Sequence, residues 1–243
     1  MIQYLLLDAV KKSAEFQMND HLEFIKTQKS LKANIETSHR CPLLCLQCTR
    51  SKLNFPKDSN KYKEIKSRIN AGYDLPIEDA RKLLDFFESG LMLCGQLSDP
   101  VYWKNFFEFL KLCKEYPDRT IQIHTAASQK DIEWYKKAFE LTGKNIIWRF
   151  GIDGLKDTSF IYRSGQKSEL LFDAMILAAE KGLNVEWQFI IFDYNVHQIE
   201  EAKSIANRYS INLQFVKSDR TGGGVKVPNE YKPKRNKEIT NAI

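Results

Sequence analysis

The sequence has no apolar run of the roughly 18–20 residues needed to cross a membrane. Its opening, MIQYLLLDAVKKSAEFQ, holds too short an apolar stretch for a secretion signal, and acidic Asp8 follows that stretch. These absences predict a soluble, cytoplasmic protein with no membrane partner. Cysteine is scarce, at five residues. Three of the five fall at one local C-x3-C-x2-C spacing, which suits metal binding in a reducing compartment better than disulfides. There is no internal repeat and no sign of a second domain. Hydrophobic residues make up 43% of the chain, an ordinary share for a globular fold and an argument against disorder.

Charge is present but uneven. Of the formal +6, the segment from Arg50 to Arg68 carries +5 and the segment from Lys217 to Lys237 another +5. Such patches attract polyanions, nucleic acid among them. The simpler reading is two solvated, mobile loops.

Strand and helix patterns alternate along the chain. Strand patterns are LKANIE, GLMLCG, TIQIHTA, NIIWRFGID, NVEWQFIIF and NLQFV. Between them run helical patterns. PIEDARKLLDFFES begins at Pro76, VYWKNFFEFLKLCKEY stops before Pro117, and DIEWYKKAFELTG closes at Gly143. SELLFDAMILAAEKG ends at Gly182, and HQIEEAKSIANRYS precedes the last strand. Strands alternating with helices of 10–15 residues make parallel βαβ units with right-handed crossovers. Six such units predict an α/β fold, a partial (βα)6 TIM-like barrel that stays open. The core is expected over residues 31–219, with an N-terminal helical extension over 1–30 and a short C-terminal tail over 220–243. The connection from Cys48 to Pro76 is unusually long, so it reads as functional or mobile.

Cys41, Cys45 and Cys48 directly follow the first strand. Loops at the carboxyl ends of strands form the active face of parallel α/β folds. Soft thiolates select zinc, Cu(I) or iron–sulfur clusters. A structural zinc site wants four ligands, and the nearest fourth is His39, two residues before Cys41. That tight spacing strains a tetrahedral shell. Three thiolates suit a cubane cluster that keeps one iron open, so the spacing favours a cluster while a zinc module stands as the alternative. Cys94 and Cys113 stand alone and read as small buried apolar side chains.

A C-x3-C-x2-C loop after strand one of a (βα)6 partial barrel resembles the radical S-adenosylmethionine (SAM) superfamily, over about residues 31–219. The resemblance implies a 4Fe–4S cluster whose open iron is chelated by SAM. One electron, from an external reductant such as flavodoxin or ferredoxin, then releases a 5′-deoxyadenosyl radical that abstracts hydrogen. The cofactor carries the hard chemistry; the protein orients it and excludes water.

Further segments resemble the family in order. The Gly-Gly-Glu-Pro-like turn after strand two is here CGQLSDP, with Gly95 and Gln96 in the matching places. Gln96 replaces the usual acid, and the resemblance implies that its carbonyl accepts a hydrogen bond from the SAM ammonium in the acid's place. Strand three ends IHTAAS, where Thr125 matches. Strand four ends GIDG, with Gly151 in place of a serine and Asp153 retained. Beyond it, YRSG resembles the segment whose arginine holds the SAM carboxylate, the role implied for Arg163. An aromatic usually precedes the third cysteine. Gln47 stands there, so only its backbone contact carries over. Singly, these are loop glycines, a turn signal and an ion pair. In this order around this loop they form a cofactor site.

Other polar and aromatic residues carry less. His124 and His197 read as structural histidines, Trp148, Trp187 and Phe189 as core, and Asp99 as a turn former before Pro100. Glu186 and Gln188 alternate with the aromatics and so point into the barrel, near substrate or into structural hydrogen bonds. The Ile-Asp-Gly context most resembles the peptide- and protein-modifying branch that carries SPASM or twitch extensions. No cysteine follows Cys113, so the chain looks like a minimal core with one cluster. The expected substrate is a peptide or protein. Radical chemistry on a nucleotide or RNA is one alternative, with Lys57, Lys61, Lys63 and Lys66 on phosphates. A zinc or iron–sulfur binding module without catalysis is the other.

Overall fold

A computed structural model describes residues 23, 25–48, 50, 58–70, 73–95, 97–126, 128–219 and 224–233. Six parallel strands form one sheet in the sequential order β1 to β6. They are β1 (Ala33–Asn34), β2 (Leu91–Leu93), β3 (Ile121–Thr125), β4 (Ile146–Gly151), β5 (Asn184–Ile190) and β6 (Asn212–Val216). Among the described residues β1 pairs only with β2 and β6 only with β5, so the sheet is open, the expected partial barrel. β1 is shorter than its pattern, although Ile35 N–H still reaches Met92 O at 2.8 Å.

The helices are α1 (Asn60–Asn70), α2 (Ile77–Phe86), α3 (Phe106–Leu112), α4 (Ile132–Leu141), α5 (Ser168–Glu180) and α6 (Ile199–Arg208). Pro76 caps α2, with Glu78 and Asp79 in the first turn, where carboxylates favour the helix dipole. Asp131 caps α4 by accepting from Trp134 N–H at 2.8 Å, a cap worth about 1 kcal/mol. α5 closes as expected at Gly182, which sits at φ +71°. Gly182 N–H donates to Ala179 O and Leu183 N–H to Ala178 O, the paired bonds of a Schellman end. α6 ends the same way on a serine: Ser210 sits at φ +54°, and Ile211 N–H donates to Ala206 O at 2.8 Å.

The core lies between the sheet and its helices. One face of each strand is apolar, so Trp148, Phe150, Trp187 and Phe189 are fully buried, as their alternation predicts. Phe106 of α3 stacks on Trp134 of α4 at 5.5 Å, and Phe139 meets Trp148 edge-on at 5.2 Å. The opposite face of β3, β4 and β5 carries the polar residues Gln122, His124, Arg149, Glu186 and Gln188.

Five expectations change. The helix read over VYWKNFFEFLKLCKEY is broken. Pro100–Tyr102 is a 3-10 turn, Trp103 is extended, α3 follows, and Cys113–Glu115 is a second 3-10 turn. Asp99 causes the break by accepting from Val101 N–H, which fixes the turn before the helix can start. Gly143 does not cap α4: the helix ends at Leu141 with Thr142 extended, and Gly143 is not left-handed. The connection after Cys48 contains α1, a helix hidden by its dense lysines. The tail is not free from 224 to 233: Val225 and Val227 are buried with Tyr162, Ile190 and Phe192, and Asp193 N–H donates to Lys226 O at 2.9 Å. Cys113 is buried as read, but Cys94 is only half-buried. In the N-terminal extension, 25–30 is helical, and the rest lies outside the described residues except Glu23.

Candidate active site

The cysteine loop is held from both sides. Before it, Arg40 makes a two-pronged ion pair with Asp74, and its Nε donates to Tyr102 O at 3.0 Å. After it, Arg50 Nη1 donates to His39 O at 2.8 Å and to Leu97 O at 2.7 Å, tying the loop to the turn after β2. Leu43 is buried and anchors the middle. Leu44 N–H donates to Ser164 O and Leu46 N–H to Tyr162 O, so the loop runs beside the segment after β4. Cys48 N–H then closes a turn on Cys45 O at 3.0 Å.

This places Cys41, Cys45 and Cys48 on the wall of one cavity of about 510 Å³ at the carboxyl end of the sheet. Gln47, Gly95, Asp99, Thr125 and Arg163 share that wall, and His124, Arg149 and Gln188 line its deeper part. The thiols sense one another. Burial pushes Cys41 up to about 12, and the Asp99 carboxylate and then Cys45 add to it. Burial also raises Cys45, with Arg163 pulling it down and Cys48 pushing it up. Among the described residues, no three His, Cys, Asp or Glu side chains converge where a single metal ion would sit. His39, the candidate fourth zinc ligand, packs its ring against Tyr73 at 5.3 Å and is not on the cavity wall. Three thiols of one loop on one wall are a donor set that soft metals, iron–sulfur clusters among them, select.

Arg163 is buried and faces the cavity through a gap that Gly151 leaves open. A Cβ at Gly151 would lie 2.9 Å from Arg163 Nη2 and 3.0 Å from Cζ. The glycine that stands where a serine was expected therefore makes room for the arginine. Asp153 is fully buried and does not line the cavity. Its Oδ2 lies 2.8 Å from Arg163 Nε, and its Oδ1 accepts from Ile190 N–H at 2.9 Å. It thus fixes the guanidinium to the end of β5. Thr125 Oγ1 donates to Asp99, at 2.9 Å to Oδ1 and 3.1 Å to Oδ2. Gln96 lies outside the described residues.

Asp99 is the residue whose place the sequence reading missed. Its carboxylate also accepts from Ala126 N–H at 2.8 Å, bracing the ends of β2 and β3 together at the cavity wall. The signal was the Asp-Pro step itself, an acid before proline after strand two. Cys94 also lines the cavity, one residue beyond Leu93. His197 is exposed on the outer side, away from the site.

No protein-family model matches the chain, and no curated protein matches it. Solved structures do. Streptococcus suis SuiB bound to S-adenosylmethionine superposes at TM-score 0.61 with 17% identity, over 86% of this chain and 47% of that one. The anSMEcpe complex with AdoMet and the Cp18Cys peptide gives TM-score 0.51 and 15% identity, over 80% and 53%. Methylornithine synthase (PylB) gives 0.52 and 16%, over 77% and 54%. The chain shares the fold of these structures, two of which hold S-adenosylmethionine or AdoMet. With that fold, the cysteine loop occupies the carboxyl face of an open parallel barrel, where the sequence placed it. The chain spans about half the length of these structures.

Proposed function

We propose that the chain is a radical SAM enzyme. The observation that carries this reading is the shared wall: three thiols of one loop, Arg163 and Asp99 all face one cavity at the carboxyl end of the barrel. Cys41, Cys45 and Cys48 would hold a 4Fe–4S cluster, losing their protons as iron binds. Arg163, fixed by Asp153, would take the carboxylate of SAM through its fork. Asp99, on the same wall, would receive the ammonium; Gly95, Thr125 and the Gln47 backbone complete the proposed contacts. A 4Fe–4S cluster held there would supply one-electron chemistry for the reductive cleavage of SAM, and the residues named here would bind and orient SAM for it. The electron comes from an external donor of flavodoxin or ferredoxin type. A peptide or protein substrate is supported by SuiB bound to the precursor peptide SuiA and by anSMEcpe bound to peptide.

Metal analysis after anaerobic reconstitution tests the ligand set. The expected result is about four irons with matching sulfide per chain and a visible charge-transfer band. Cys45→Ala loses that band, and Cys113→Ala, buried away from the cavity, keeps it. Stoichiometric zinc without sulfide, or an unchanged spectrum in Cys45→Ala, overturns the assignment.

A further inference from the structure

We propose that the lumen beneath the cysteine loop binds a carboxylate of the substrate, held by Arg149 and His124. This rests on the radical SAM reading only for calling the bound molecule a substrate. Barrel lumens are usually filled by layers of branched apolar side chains. Here one layer is charged: His124 pairs in register with Arg149, and Arg149 with Glu186, across β3, β4 and β5. Glu186 Oε2 takes both Nε and Nη2 of Arg149 at 2.5 Å. Glu186 is not on the cavity wall, whereas Arg149 and His124 are. The glutamate takes Nε and Nη2, and Nη1 has no hydrogen-bond partner among the described residues.

His124 Nε2 is buried and also has no hydrogen-bond partner among the described residues. A buried polar atom left unsatisfied costs about 1–3 kcal/mol, so His124 stands beside the half-used guanidinium with a ring nitrogen still to be satisfied. Burial, with Arg149 alongside, pushes His124 down to about 4, so the imidazole is neutral and carries a proton on one nitrogen. The layer then has one arginine, one glutamate and no net charge. An anion bound there adds its full charge to a neutral layer, so a planar monoanion on the guanidinium costs less than a phosphate dianion would.

Depth supports the same assignment. Gly151 stands two residues beyond Arg149 on β4, about 7 Å nearer the mouth. Arg163 fills the space over Gly151. Two ion-paired arginines thus face one cavity at successive depths, Arg163 braced by Asp153 and Arg149 by Glu186. The upper fork serves the cofactor, and the lower serves the molecule beneath it.

The carboxylate belongs either to a free small acid or to an acidic side chain of a peptide. Calorimetry on the reconstituted protein with SAM separates the two sources: L-norleucine against L-norleucinamide, and Ac-Ala-Glu-Ala-NH2 against Ac-Ala-Gln-Ala-NH2. The expected result is at least tenfold tighter binding of the acid than its amide in one pair. Arg149→Gln alone strands Glu186, so the double variant Arg149→Gln/Glu186→Gln is the informative one. It should lose the preference while keeping the cluster absorbance and SAM affinity. Equal binding of acid and amide in both pairs, including no binding of any probe, overturns the proposal. So does a preference that survives in the double variant. A wild-type protein that takes up neither cluster nor SAM but still prefers the acid sinks the preceding function and leaves this site standing.

Discussion

Replacing Gly151 by alanine adds one methyl group and tests how Arg163 is positioned. The backbone of Gly151 is not left-handed, so alanine meets no conformational penalty there and the effect is steric alone. The new Cβ would stand 2.9 Å from Nη2, 3.0 Å from Cζ and 3.3 Å from Nη1 of Arg163. Those contacts are about 0.5–1 Å closer than carbon normally packs. The guanidinium has little freedom to retreat, because fully buried Asp153 holds its Nε at 2.8 Å. Overpacking of this kind costs about 1–3 kcal/mol of stability. If the fork is pushed off the SAM carboxylate, a charge-assisted contact of about 1.5–3 kcal/mol is lost as well. SAM affinity then falls between about tenfold and a hundredfold. Urea unfolding and SAM calorimetry read the two effects. The decisive comparison is the same substitution in an Arg163→Ala background, where Gly151→Ala should cost less than about 0.5 kcal/mol, since the clashing group is gone. An equal cost in both backgrounds refutes the idea that Gly151 makes room for Arg163.

Two further outcomes follow from named residues. Ser210 closes α6 at φ +54°, a conformation that costs a side-chain-bearing residue roughly 1–2 kcal/mol. Ser210→Gly should therefore stabilise the protein by about 0.5–1 kcal/mol after the entropy of glycine is subtracted; a lowered urea midpoint contradicts it. His124 has its folded pKa pushed down to about 4 by burial and Arg149, below the unfolded value near 6.5. Its contribution is thus fully present above about pH 6.5 and lost as pH falls toward 4, because the unfolded chain binds the proton first. NMR of the imidazole should show no titration between pH 5.5 and 8, and His124→Gln should flatten the acid limb of the stability curve. An ordinary midpoint near 6.5 contradicts the burial argument.

The barrel was legible because its middle strands have two distinct faces. Trp148 and Phe150, and Trp187 and Phe189, alternate with polar lumen residues, and that pattern has one structural solution. The cysteine loop was legible from spacing and from its place after a strand. α1 was not, because its sequence NKYKEIKSRIN has no apolar stripe long enough to mark a buried face. The break before α3 was not, because Phe106, Phe109 and Leu110 continue a helical period that starts only after the Asp99–Pro100 turn. The strap carrying Val225 and Val227 was masked by the glycines and charges around it, although V-K-V is an alternating pattern. Arg163 was singled out by its motif, and it does line the cavity. Its brace, Asp153, was read as a contact to the cofactor, since sequence order says nothing about which side of a strand end a buried carboxylate turns to.

The central claim is that this cavity cleaves SAM. The direct measurement is 5′-deoxyadenosine formed from SAM by the anaerobically reconstituted chain under a strong one-electron reductant. The account predicts 5′-deoxyadenosine from the wild-type chain and none from Cys45→Ala. A fully loaded cluster that binds SAM but yields no 5′-deoxyadenosine with reductant, or equal yield from Cys45→Ala, contradicts it.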